Sequence, residues 1–199
     1  MSQINSLPVL RTRRLRLYIP GPEAAEECAR FNRENAAFLA PWEPRMSPSS
    51  FDAGALRDVR KRAVAAALEG SAYSFAIIKE NADDVNPAII GWLKFSNIVR
   101  SIFQASHLGY NLAEHAQQHG YMTEAARAGI DFVFGTLRLH RIMANYLPHN
   151  HRSRAVLDRL GFKSEGFAAA YLFINGRWQD HVLTSLVNPE NVVPEAAIL

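Results

Sequence analysis

The run LGYNLAEHAQQHGYMTE, Leu108 to Glu124, has residue types suited to binding an anion. Leu108, Tyr110 and Leu112 alternate with Gly109 and Asn111, a short period-2 pattern that predicts a strand. Ala113 to Gly120 is polar and has no period. From Tyr121 the pattern turns helical, with Thr123 and Glu124 in the first turn and Ala125, Ala126, Ala128, Ile130, Phe132, Val133 and Phe134 behind them. The first N–H groups of a helix have no partner within it. They lie at the positive end of the helix dipole, so a loop-to-helix junction can hold an anion. Gly120 has no Cβ, which lets the backbone come close to that anion. The lysine and Ser/Thr of a P-loop are missing, and so is GxGxxG. What remains is the spacing Gln117-x-x-Gly120-x-Met122, expected to hold the diphosphate of a cofactor. The plainer alternative is a glycine-containing loop that binds nothing.

Two other groups of residues could do chemistry. FLAPWEPRMSPSS, residues 38–50, carries Pro41, Pro44 and Pro48, which oppose regular structure. Trp42 and Glu43 within it read either as a loop pinned by its aromatics or as a wall of an acceptor site, with Glu43 facing an amine. Asn150 follows the breaker Pro148-His149 and can cap a helix over His151 to Leu160. Ser153 then falls in that helix's first turn.

The elements that position these residues follow from periodicity and breakers. Leu10 to Ile19 predicts a first strand, closed by Pro20-Gly21-Pro22. Glu23 to Asn35 and Phe51 to Glu69 predict helices, the second closed by Gly70. Strands are expected at Tyr73 to Lys79, Ala88 to Ser96 and Ile102 to Leu112, with the first two joined by a hairpin turn in NADDVNP, residues 81–87. After the helix at Tyr121 come a strand at Arg141 to Tyr146 and the helix ended by Gly161. A last hairpin, Glu165 to Ile174 and Asp180 to Val187, turns at Asn175-Gly176. This order predicts an α+β fold with a mixed central sheet flanked by helices. No repeat or linker divides the chain, so 1–199 is read as one domain, with a core of about 10–188 and a poorly ordered tail at 189–199.

Composition bounds the rest. The chain has 199 residues, 48% hydrophobic and 21% charged, with net charge +3, an ordinary globular balance. The mild excess of basic residues suits an acidic ligand without requiring one. Arg11, Arg13, Arg14 and Arg16 read as a solvated strand face or as a nucleic-acid patch. The lone cysteine, Cys28, excludes an internal disulfide and a cysteine metal cluster, consistent with a reducing cytoplasm. No signal peptide or membrane span is expected.

Gln117-x-x-Gly120-x-Met122 resembles the Gln/Arg-x-x-Gly-x-Gly/Ala signature of the GNAT acetyltransferases, and Met122 in the last place is familiar in their ribosomal-protein branch. Further runs are similar to the RimJ/RimL branch, and to its alanine-specific RimJ type above all. They are Thr12-x-Arg14-Leu15-x-Leu17, the loop Phe38-Leu39-x-Pro41-Trp42-Glu43-Pro44, His140 to Tyr146 with Pro148-His149-Asn150, Arg159 to Phe162, and Asn175-Gly176-x-Trp178-x-Asp180-His181. The resemblance implies a GNAT fold, acetyl-CoA as cosubstrate, no metal, and transfer of acetyl to the N-terminus of a ribosomal protein. It places Leu112, Gln117, Gln118, His119, Gly120, Tyr121, Met122, Asn150 and Ser153 around the cofactor. Trp42, Glu43 and Tyr110 fall beside the acceptor.

By the same resemblance, backbone amides from Gln118 to Met122 would hold the diphosphate, and Asn150 and Ser153 would approach the pantetheine arm. An α-amine has a pKa of about 7.7–8.0 against about 10.4 for lysine, so a weak base suffices to neutralise it. Glu43 is the expected base, with His149 and His151 behind it. Ser153 is the expected proton donor to the departing thiolate, and an amide near Leu112 would meet the oxyanion. The RimL branch carries a glutamate where this chain has Leu172, so that role does not transfer. Competing readings are a GNAT acting on a small amine or antibiotic, and an RNA- or ribosome-binding protein without turnover.

Overall fold

A computed structural model describes residues 6–80 and 88–190. The expected turn at 81–87 and nearly all of the expected tail, residues 191–199, lie outside the described residues. The chain forms β1 (Leu10–Arg11), β2 (Leu15–Tyr18), α1 (Ala25–Leu39), α2 (Ala53–Glu69), β3 (Tyr73–Lys79), β4 (Ile89–Val99), β5 (Ala105–Leu112), α3 (Tyr121–Asp131), β6 (Arg141–Tyr146), α4 (His151–Leu160), β7 (Lys163–Ile174) and β8 (Arg177–Val187). One sheet runs in the order β1-β2-β3-β4-β5-β6-β8-β7. Every pairing is antiparallel except β5 with β6. The mixed sheet with flanking helices is the expected α+β architecture.

The helices begin and end where local chemistry says they should. Asp52 Oδ2 accepts from the Ala55 amide at 2.6 Å and caps α2, and Gly70, at φ 74°, closes it. Asn150 Oδ1 accepts from the Ser153 amide at 3.0 Å and caps α4, which Gly161 closes at φ 88°. Helix α3 lies close against the sheet. A Cβ on Gly129 would come within 2.5 Å of Leu93 Cδ2 and 2.8 Å of Phe95, so only glycine allows this approach. Adding a methyl group there would cost about 1–3 kcal/mol through overpacking.

Several boundaries differ from expectation: α2 starts at Ala53 rather than Phe51, β4 runs on to Val99 rather than Ser96, and β7 and β8 start at Lys163 and Arg177 rather than Glu165 and Asp180. The predicted first strand is a hairpin, because Thr12 turns the chain: its amide donates to the Leu15 carbonyl, and its Oγ1 accepts from the Leu15 amide, both at 2.9 Å. The first helix runs on from Asn35 to Leu39, with the Ala40 amide still bonded to the Ala36 carbonyl, and ends at Pro41, which has no N–H to continue the ladder. Within the proline-rich loop, Pro48 to Phe51 forms a 3-10 turn with proline at its start, a place that needs no N–H donor. Strand β5 begins at Ala105 rather than Ile102, because Ser101 and Gln104 take positive φ in the preceding turn.

The decisive feature for function is where β5 and β6 part. They pair only from Ala105 to His107 against Arg141 to Met143. Past that point β5 still pairs with β4 out to Leu112, and β6 with β8 out to Tyr146. The two strands splay and leave facing edges unpaired in the middle of the sheet, where backbone donors and acceptors need partners.

Candidate functional site

A cleft of about 1320 Å³ occupies this splay. Its floor is the free edge of β5, Leu108 to Leu112, and it faces Asn145 and Tyr146 of β6. Amides on an antiparallel strand point alternately to either neighbour. The Ala113 amide donates to Ile90 of the β4 side at 2.8 Å, so the Leu112 amide points the other way, into the cleft.

At one end of the cleft lies the junction with α3. Gln118 (φ 65°) and Gly120 (φ 77°) are both left-handed, and Gly120 is the N-cap with no side chain capping the helix. The amides of Gln118, His119, Gly120, Tyr121, Met122 and Thr123 make no hydrogen bond among the described residues. The Gln117 amide is already engaged by the Glu114 carbonyl at 3.1 Å. Six free donors at a helix N-terminus, opening on a cleft, fit a diphosphate. The reason for glycine at 120 is its backbone angle: a Cβ there would meet nothing nearer than Arg14 Nη2 at 3.6 Å.

Glu124 holds this junction to the first hairpin. It accepts from Thr12 Oγ1 (2.6 Å), from the Arg14 amide (3.0 Å) and from Arg14 Nε (2.7 Å). Burial pushes the Glu124 carboxyl up, but these bonds outweigh it and hold its pKa below the ordinary value. Arg14 also lies 4.7 Å above the Tyr121 ring. Arg11 pairs with Glu80. Arg16 lies 5.9 Å over the Tyr18 ring, so three of the four N-terminal arginines make intramolecular contacts, which favours the structural reading of that basic run.

At the other end, two side-chain pairs face the cleft. Asn111 Nδ2 donates to Glu43 Oε1 at 2.5 Å, which fixes the carboxylate on the rim. Tyr110 Oη and Ser153 Oγ are 2.9 Å apart, and Tyr110 also donates to the Ser153 carbonyl at 3.1 Å. Burial raises the Tyr110 pKa, so the phenol stays protonated. The phenol has one proton: when it goes to the Ser153 carbonyl, Ser153 Oγ–H donates to Tyr110 Oη, and when it goes to Ser153 Oγ, the serine proton is free to point elsewhere. Trp42 packs against His149, with ring centroids 5.5 Å apart.

Of the residues predicted from sequence, Trp42, Glu43, Tyr110, Leu112, Gln117, Gln118, Gly120, Tyr121, Met122, Asn150 and Ser153 all line this one cleft. His119 does not: its ring stacks on Tyr121 at 5.4 Å, leaving only its amide at the junction. His149 and His151 are exposed and lie off the cleft wall, unlike Glu43. Leu172 lines the cleft but has no proton to give or take. Cys28 is buried on α1, and burial pushes its thiol up, away from the thiolate a nucleophile needs.

Among the cleft residues without an assigned part in the sequence, three carry polar groups beside the acceptor end. Asn111 was visible only as a polar residue in an alternating strand. Lys94, on β4, opens on the cleft and has its pKa lowered by desolvation. His181, on β8, is 4% exposed, lines the cleft, and lies 3.0 Å through Nδ1 from the Gln179 carbonyl. Its signals in the sequence were its place in the Asn175 to His181 run and its polar type at a buried strand register. Among the described residues no group of three metal-ligating side chains comes together, and no helix is long and apolar enough to cross a membrane.

Comparison with known proteins agrees with this geometry. Residues 14–163 match the acetyltransferase (GNAT) domain family. The chain is 41% identical to the [ribosomal protein uS5]-alanine N-acetyltransferase of Escherichia coli (strain K12), over 91% of both chains. Among solved structures it is similar to the ribosomal-protein-S5-alanine acetyltransferase of Vibrio fischeri, with TM-score 0.87 and 35% identity, covering 94% of this chain and 100% of that one. It is also similar to Mycobacterium smegmatis RimJ in complex with CoA-disulfide, with TM-score 0.80 and 27% identity, covering 96% and 91%. The chain belongs to the GNAT family of acetyl-CoA-dependent N-acetyltransferases.

Proposed function

We propose that this protein transfers the acetyl group of acetyl-CoA to the N-terminal α-amine of a ribosomal protein that begins with alanine. The observation that carries this reading is the 41% identity, along 91% of both chains, to an enzyme of that activity. The cleft supports it through its two ends, one of free amides and one of acid and hydroxyl groups. The domain is read as the whole chain, acting in the cytoplasm and approaching the ribosome or its newly made proteins.

Bound acetyl-CoA supplies a thioester carbonyl open to direct attack. Amides 118–122 hold its diphosphate, and the free β5 edge offers backbone partners to the pantetheine arm, as does Asn150. Leu112 N–H points to where the oxyanion forms. Glu43, steadied by Asn111, takes the proton of the incoming ammonium, with Trp42 beside it. Ser153 Oγ–H gives a proton to the departing sulfur, and the second proton, lost by the attacking nitrogen as the amide forms, returns to the serine oxygen. Cys28 has no part.

Acetyl-CoA turnover with peptides beginning Ala, set against small amines and against peptides blocked at the N-terminus, tests the reading. Acetylation of the open Ala peptides is expected. Turnover confined to small amines would replace it with the small-molecule alternative, and RNA binding without turnover would replace it with the binding-protein alternative.

A further inference from the structure

Behind the Glu43–Asn111 hydrogen bond lies a second, smaller chamber of about 260 Å³, between α1, α2 and β4. It shares Glu43, Trp92, Lys94 and Asn111 with the main cleft, so an occupant enters from the acceptor end. The chamber is below the roughly 300–1,000 Å³ of a whole small-molecule site, so it suits one side chain of a larger ligand.

Arg60 of α2 forms its inner wall and is 8% exposed. Its guanidinium lies 4.8 Å over the Trp92 ring, and among the described residues neither Nε nor Nη1 has a hydrogen-bond partner, and both are shielded from solvent. The one acid on the chamber wall is Glu43, whose carboxylate is bonded to Asn111 instead. A buried guanidinium without a counterion is costly, and its planar donors match a carboxylate. Lys94 adds a second cation against the single charge of Glu43.

We propose that this chamber receives the carboxylate side chain of an acidic residue a short way behind the acceptor's α-amine, with Arg60 as its partner. Arg60 is then a specificity residue that acts through substrate position. The proposal rests on the peptide-acceptor reading above.

The test is a series of short peptides beginning with Ala, with Glu moved through positions two to five and each paired with its Gln counterpart. With the intact protein, one position is expected to favour Glu by about tenfold in kcat/KM, mostly through KM. Arg60→Gln should reduce that preference to less than about twofold while leaving the Gln peptides within about threefold of the unaltered protein. Arg60→Lys, which keeps the charge and loses the fork, should keep part of it. Equal rates for Glu and Gln at every position overturn the proposal with no variant needed. A preference that survives in Arg60→Gln does so as well. Failure to acetylate any Ala peptide instead removes the function on which the proposal rests.

Discussion

At the donor end of the cleft, the working groups are six amides from consecutive residues, Gln118 to Thr123. At the acceptor end they are side chains drawn together from distant places. Glu43 meets Asn111 across 68 residues of sequence, and Tyr110 meets Ser153 across 43. A site made of backbone amides depends on conformation, so most side chains there can change freely. A site made of side chains depends on identity, and each loss removes a reacting group. The two ends should therefore respond differently to substitution.

The sharpest contrast is expected at Ser153. Ser153→Ala removes the proposed proton donor but keeps its amide on Asn150 and its carbonyl under Tyr110. We expect kcat to fall about a hundredfold, with the KM for acetyl-CoA within about threefold. Steady-state kinetics checks this, and an unchanged kcat would move the proton donor elsewhere. Glu43→Gln keeps an oxygen for Asn111 but loses the proposed base. A drop of about ten- to a hundredfold in kcat/KM for peptide is expected, smaller at high pH where the amine is already neutral. A flat pH response of the defect would point to another base, with His181 next in line.

The donor end should respond through KM alone. Gly120→Val forces a β-branched residue to φ 77°. About 1–3 kcal/mol of strain there should raise the KM for acetyl-CoA about tenfold, with little change in the KM for peptide. Equal loss of both would show that the two ends are not separable.

The Glu124 network should appear in stability rather than rate. Its carboxyl titrates lower in the folded chain than in the unfolded one, where it lies near 4.3. Its contribution is therefore complete above that unfolded value and is lost as pH falls through the folded one. Glu124→Gln should cost about 1 kcal/mol at pH 7, with the gap to the unaltered protein closing as the solution is acidified below about pH 4. Thermal melts across that range decide it, and a gap that stays constant would remove the linkage. The smallest effect is expected for His119→Ala, whose ring lies outside the cleft: less than about twofold on the KM for acetyl-CoA.

The donor end was legible in the sequence because it is local. A polar loop, a left-handed glycine and a helix start all lie within a few residues, and each reports its own conformation. Strands β3 and β6 and helix α4 were legible to the residue for the same reason, since their breakers flank them directly. The hairpin at Thr12 was not, because the side chain that turns it is held by Glu124, 112 residues away.

Sequence alone determined the order of the elements after the first hairpin, the glycine that ends α2, both caps of α4, and the family signature, all consequences of short-range sterics and hydrogen bonding. Tertiary structure decided the rest. It parted β5 from β6, set Asn111 under Glu43 and Tyr110 against Ser153, and left Arg60 facing a small chamber without a counterion. Those relations join residues far apart in the chain, so pairing across the sheet had to bring them together before their chemistry existed.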